Sequence, residues 1–338
     1  MSAESQRPLR PGDVVEVRPA AEILATLDAD ASLDAVPFMP EMLQHIGRRF
    51  TVSRRVEKIC DTIAATGSRR MHNTVYLEDL RCDGSGHGGC QAGCRIYWKE
   101  AWLRRVDGTA TATHTEIDTA RELERRAQAS TRTMHELDGE PEEVWRCQAT
   151  DALKATEPLK TSDLRQYWRE LRSGNFALPH FLFALVRGFF FEVAGRFHRM
   201  KALPLSGPGT YSKPAKALDL QPGDLVQVRG KKEIASTLDG SGHLRGLSFD
   251  REMLPYCGGT YRVQDRVQRL IDDRTGRMIE IPTDCLILQG VVCSGERSHG
   301  RWFCPREIYP YWREAWLRPV EESPEAAESE PPLPPIQH

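Results

Sequence analysis

Cys82, His87, Cys90 and Cys94 place three thiols and an imidazole within thirteen residues. Five glycines lie between the outer two cysteines. Glycine permits the tight backbone that lets several side chains converge on one point, which helix and strand do not. Thiolate sulfur and imidazole nitrogen are the usual donors to zinc, which gathers four of them in a tetrahedron at about 2.0–2.3 Å. Cys60, upstream, is a further candidate from a neighbouring strand. A second group repeats the logic: Cys293, His299 and Cys304 share one loop, and Cys257 and Cys285 are available to complete it. The expected first site is Cys82, Cys90 and Cys94 with either Cys60 or His87. The expected second site is Cys293, Cys304 and Cys257 with either His299 or Cys285. Zinc is the expected ion, with iron the alternative.

Cys147 stands alone between the two groups and reads as a small packed residue, since no histidine or aspartate partner is apparent for a nucleophile. The chain has no Walker sequence, no GxGxxG after a strand, no GxSxG and no HExxH, so the common nucleotide and hydrolase chemistries have no foothold. Lys plus Arg (46) nearly balances Asp plus Glu (48), and the net charge of −2 supplies no global drive toward nucleic acid or anionic lipid. Nucleic acid therefore stays a possible but unfavoured partner. A local basic stretch, Arg48, Arg49, Arg54, Arg55, Lys58, Arg69 and Arg70, reads as a solvated strand face neutralised by Glu41, Glu57 and Asp61. The polar first residues lack the apolar run of a signal peptide. The expected setting is cytoplasmic, where thiols stay reduced and metal ligation is favoured over disulfides.

The grouping of the cysteines follows from an internal duplication. Pro11-Gly12-Asp13-Val14-Val15 matches Pro222-Gly223-Asp224-Leu225-Val226, and at that offset of 211 residues 21 of the first 52 aligned positions are identical without a gap. Glu41-Met42-Leu43 falls on Glu252-Met253-Leu254, and Cys82 on Cys293. After three extra residues in the second copy, Cys90 falls on Cys304, and Tyr97, Trp98 and Trp102 fall on Tyr311, Trp312 and Trp316. These aromatic sets read as packing. Cys257, Cys285, Cys60 and Cys94 align instead with Ile46, Thr74, Ile271 and Ile308. Either each copy completes its site differently, or one copy has lost its metal.

Each copy carries short alternating segments opened by a Pro-Gly-Asp turn. The expected fold is mainly β with an α insert: two homologous SH3-like small β-barrels joined by a helical segment. The expected order is a disordered 1–10, the first Cys-rich repeat at 11–106, a helical insert and linker at 107–215, the second repeat at 216–320, and a disordered acidic, Pro-rich tail at 321–338. In the insert, 116–130 reads as an exposed helix or a mobile segment, a second helix presents Leu164, Tyr167, Trp168 and Leu171 on one face, and the Phe-rich stretch 179–200 reads as a helix buried against the barrels, with an interfacial or partner-binding helix as the alternative. Arg187, Glu192 and Arg196 interrupt that stretch, which argues against a transmembrane segment. The functional expectation is a zinc-binding tandem protein acting as a binding or scaffold module for an unidentified protein or small-molecule partner. The alternative is a metalloenzyme using iron or zinc in one repeat, its pocket completed by the Phe-rich helix.

Overall fold

A Pro-Gly-Asp turn delivers the chain into β1 (Val14–Val17), where Val15 and Val17 are fully buried. The first repeat continues through α1 (Ala20–Leu24), β2 (Ser32–Leu33), β3 (Val36–Pro37), a 3-10 turn at Pro40–His45, β4 (Arg49–Arg55), β5 (Lys58–Cys60), β6 (Ser68–Arg70), β7 (Thr74–Leu77), β8 (Trp98–Lys99), a 3-10 turn at Glu100–Trp102, and β9 (Leu103–Arg105). The insert holds α2 (Ile117–Ala129), a hairpin of β10 (Arg132–Leu137) and β11 (Glu140–Trp145), β12 (Glu157–Leu159), and α3 (Arg165–Ser173). The second repeat comprises β13 (Leu225–Val228), α4 (Lys231–Thr237), β14 (His243–Leu244), β15 (Leu247–Ser248), a 3-10 turn at Arg251–Tyr256, β16 (Thr260–Arg266), β17 (Arg269–Ile271), β18 (Met278–Glu280), β19 (Leu286–Leu288), a 3-10 turn at Glu314–Trp316, and β20 (Leu317–Pro319). This computed structural model describes residues 7–64, 67–106, 117–160, 162–186, 205–209, 218–297 and 301–320. Residues 1–6, most of the Phe-rich stretch (187–200), His299 and the tail 321–338 lie outside the described residues.

An offset of 211, becoming 214 after the cysteine loop, carries the elements of one repeat onto those of the other. Val14 pairs with Thr51, and Leu225 pairs with Arg262. The register of β4 on β7 shifts between Val52 and Arg54, and that of β16 on β19 between Val263 and Asp265, so the same bulge recurs. The cores repeat as well. Phe38 meets Trp102 edge-on at 5.3 Å, and Phe249 meets Trp316 at 5.4 Å. Each of those indoles donates to a threonine hydroxyl at 3.0 Å, half-buried Thr26 in one case and buried Thr237 in the other. Trp98, Trp102, Trp312 and Trp316 are fully buried, so the repeated aromatics are core.

The expected SH3-like barrels are not found, and the described residues form mixed small antiparallel sheets with few helices. The first repeat's main sheet has the order β8-β7-β4-β1-β9, and the second's has the order β19-β16-β13-β20. Both are open sheets. Closure needs continuous pairing around the ring. Strand β8 is only two residues long and runs straight into the Glu100–Trp102 turn, which leaves no length to bridge it to β9.

Two compact units divide the described residues. The first extends to Phe181 and adds Arg269–Ile279 and Phe303–Arg306; the second takes Leu182–Gln268, Glu280–Trp302 and the residues from Glu307 onward. No helix among the described residues is long and apolar enough to cross a membrane.

The insert departs from its amphipathic reading. Helix α2 buries Leu123 and Ala127 against the first core instead of lying fully exposed. Helix α3 turns its apolar face outward: Leu164 and Trp168 are exposed, and Gln166, Glu170 and Ser173 are buried. In the Phe-rich stretch Phe181 is buried against Phe303, whereas Leu182, Phe183 and Val186 are exposed. The basic stretch is a solvated face only in part: Arg48 and Arg49 are exposed, whereas Arg54, Arg55 and Lys58 are buried. Arg55 pairs with Glu57 and Glu100, and Arg69 donates to Thr156 and to the Leu153 and Thr156 carbonyls.

Lys58 explains the inverted helix. Its ammonium is buried, donates to Gln166 Oε1 at 3.0 Å, and lies 5.5 Å and 5.2 Å from the Tyr167 and Phe303 ring centres. Burying a charge demands polar partners, so α3 supplies its amide and carboxyl face. Burial pushes Lys58 down to about 8, against the attraction of Glu170, and pushes Glu170 up to about 7, against the attraction of Lys58. Glu170 holds its proton longer in the folded state, so stability falls as pH rises from its ordinary range toward 7. Lys58 loses its proton earlier when folded, so stability recovers as pH rises above 8. Urea midpoints across pH 5 to 10 should therefore show a local minimum near pH 7–8. The double variant Lys58→Met/Glu170→Leu should flatten that minimum.

Candidate metal centre

Pro40 opens the 3-10 turn that carries Glu41, while Met42 anchors the turn in the core. That leaves the Glu41 carboxylate beneath the glycine loop between Cys82 and Cys94. The neck of the loop is closed by Cys82 N–H donating to Cys94 O at 2.8 Å and by the Arg81 guanidinium donating to Gly93 O at 2.8 Å. Inside it, His87 N–H and Gly89 N–H both reach the Gly84 carbonyl, at 3.0 and 2.9 Å. Two glycines make this possible. Gly84 has φ +72, and a Cβ there would lie 2.2 Å from the Cys90 carbonyl oxygen; at Gly86 a Cβ would lie 2.5 Å from Glu41 Oε2.

The result is a trio. Cys82 Sγ lies 3.3 Å from Glu41 Oε1 and 3.5 Å from His87 Nε2, and His87 Nδ1 lies 3.6 Å from Glu41 Oε1. Glu41 and His87 are buried and Cys82 half-buried. Among the described residues this is the one group of three or more such donors whose ligand atoms lie mutually within 4.8 Å. Glu41 Oε2 and His87 Nδ1 are buried with no hydrogen-bond partner. Buried polar atoms are satisfied in the great majority of native sites, so two orphans in one small cluster point to an ion or water.

Electrostatics fit a cation. Burial raises the Glu41 carboxyl, burial and the Glu41 charge raise the Cys82 thiol, and burial pushes His87 down to about 4. Desolvation leads all three shifts, and a dication would bind the groups as carboxylate, thiolate and neutral imidazole. Carboxylate, thiolate and imidazole together are zinc donors. One imidazole with a thiolate differs from the two-histidine carboxylate set of non-haem iron.

The equivalent position in the second repeat is occupied differently. Glu252 Oε2 accepts from Ser294 N–H at 3.1 Å and from its hydroxyl at 2.7 Å, and Oε1 accepts from Arg297 N–H at 2.8 Å. Cys293 N–H still donates to Ile308 O at 2.8 Å, the counterpart of the Cys82–Cys94 neck. The loop is pinned by its own backbone.

The other expected ligands do not join the trio. Cys60 and Cys304 meet each other, with Cys60 N–H donating to Cys304 Sγ at 3.1 Å. Cys90 Sγ accepts from Ile271 N–H at 3.3 Å. Burial pushes the Cys94 thiol up to about 12 and that of Cys285 up to about 11. Cys257 is half-buried at the end of the Arg251–Tyr256 turn, its thiol 3.9 Å from the Met253 carbonyl. Cys147 is buried with its thiol pushed up, the behaviour of a packed side chain. Glu41 was missed because its charge was assigned to the basic stretch. A signal was present: a glutamate retained in both copies, at Glu41 and Glu252, beside a buried methionine.

Comparison with family models, with curated proteins and with solved structures finds no match to this chain.

The two glutamates should respond differently to neutralisation. In chelator-containing buffer Glu252→Gln should cost about 1.5–3 kcal/mol, as charge-assisted bonds to the loop are lost. Glu41→Gln should be close to neutral, because burial already favours its uncharged form. Urea unfolding of the two variants checks the contrast.

Proposed function

We propose that this is a zinc-binding protein in which Glu41, Cys82 and His87 hold one ion in the first repeat, and that the repeats serve as a binding module. The observation that carries the reading is the pair of orphaned buried atoms, Glu41 Oε2 and His87 Nδ1, in a cluster of three metal-donor side chains. Bound zinc would supply the positive charge that this cluster lacks and would tie the glycine loop to the Pro40–His45 turn. A small domain with long loops gains stability from such a tie, because binding free energy becomes folding free energy. The second repeat supports the reading by contrast: with Glu252 already satisfied by three loop donors, it has no comparable need of an ion among its described residues.

The donor count favours a second reading. Three protein ligands leave one position of a zinc tetrahedron for water or substrate, the arrangement of catalytic zinc sites. On that reading the chain is a metalloenzyme whose zinc polarises a bound molecule.

Elemental analysis of the purified chain should find one equivalent of zinc. Cys82→Ser and His87→Ala should each abolish it, whereas Cys293→Ser should retain it. Two equivalents, or retention in Cys82→Ser, would refute the assignment. Cobalt substitution separates the two readings: a visible spectrum that changes on adding azide marks an open position, and an unchanged spectrum marks a structural tie.

A further inference from the structure

Inside the first unit, Arg269–Ile279 and Phe303–Arg306 come from the second repeat, and they meet residues of the first repeat and of the insert. The pairing follows a rule. Thr62 Oγ1 donates to Asp273 Oδ2 at 3.2 Å, and Arg274 Nη2 donates to Ile63 O at 3.0 Å. Residues 62 and 273 are equivalent in the duplication, and so are 63 and 274. A residue meets its own counterpart only where a two-fold axis passes.

Away from those residues the contacts are exchanged, as an isologous interface requires. Cys60 N–H donates to Cys304 Sγ at 3.1 Å, and Ile271 N–H donates to Cys90 Sγ at 3.3 Å. Ile271 is the counterpart of Cys60, and Cys304 is the counterpart of Cys90. Each hairpin thus donates to the in-register cysteine of the other repeat, Cys304 or Cys90. The two hairpin turns match as well: Asp61 Oδ1 accepts from Ile63 N–H at 2.9 Å, and Asp272 Oδ1 accepts from Arg274 N–H at 3.1 Å. Some contacts depart from the symmetry. Gln91 N–H donates to Arg269 O at 3.0 Å, but its counterpart Pro305 has no N–H, and Arg306 Nη1 instead donates to Cys60 O at 3.2 Å.

We infer that the repeat is a self-recognition module whose partner is a second copy of the same repeat, each copy laying its β5–β6 or β17–β18 hairpin on the other's cysteine loop. Cys90 and Cys304, in register between the copies, are the sulfur acceptors of this docking. The inference does not depend on zinc.

A protease site inserted between Ser212 and Lys213 tests it, because cleavage leaves the two repeats on separate chains. After cleavage at micromolar concentration, the fragments should co-elute with the mass of the intact 38.2 kDa chain by size exclusion with light scattering. Arg306 of the second repeat is buried and donates to Cys60 O at 3.2 Å and to Thr62 Oγ1 at 3.0 Å, both in the first repeat. Cleaved Arg306→Ala should therefore dissociate at least tenfold more readily, and cleaved Arg274→Ala should weaken in the same direction by a smaller factor. Separation of the unsubstituted fragments, or equal retention in both variants, would overturn the inference.

Discussion

Three polar groups, Glu41, Cys82 and His87, converge beneath a glycine loop with two of their atoms buried and unpaired. Unsatisfied buried polar atoms are expensive, at about 1–3 kcal/mol each and more when charged. Much of the local architecture maintains this convergence. The Pro40–His45 turn delivers the carboxylate, the Cys82–Cys94 neck delivers the thiol, and the absence of side chains at positions 84 and 86 lets the loop close onto both. The proposal of a bound cation rests on this convergence of metal-donor side chains.

Duplication provides an internal control. The two repeats share strand order, bulge, indole–threonine bonds and loop neck, and differ beneath the loop. One glutamate faces a thiol and an imidazole; the other accepts three hydrogen bonds from its own loop. A common scaffold thus carries two arrangements beneath the same loop, one of carboxylate, thiol and imidazole and one of a carboxylate held by backbone and hydroxyl groups. The cysteines retained in both copies at 90 and 304 serve a different purpose, accepting N–H bonds from the opposite hairpin.

Much of this was legible in the residues. The offset of 211 located the repeats, Val15 and Val17 announced a strand, and the glycines between Cys82 and Cys94 announced a loop able to converge. What the sequence concealed was set by tertiary pairing. Alternation of Val and polar residues identifies strands but not whether their edges meet, so barrel closure was inferred where a two-residue β8 cannot provide it. Helix α3 was read by its apolar face, yet the buried Lys58 ammonium requires its polar one. Thiol count suggested sites rich in sulfur, while geometry gathered one sulfur, one imidazole and a carboxylate from 41 residues upstream. Carboxylates are common, and nothing local marks the one that folds beneath a loop.

X-ray absorption at the zinc edge of the metal-loaded chain addresses the central claim most directly, because it counts donor types around the ion. A first shell with one sulfur near about 2.3 Å and the remaining donors nitrogen or oxygen near about 2.0–2.1 Å is predicted. A shell of three or four sulfurs would place the ion among other cysteines and contradict the account.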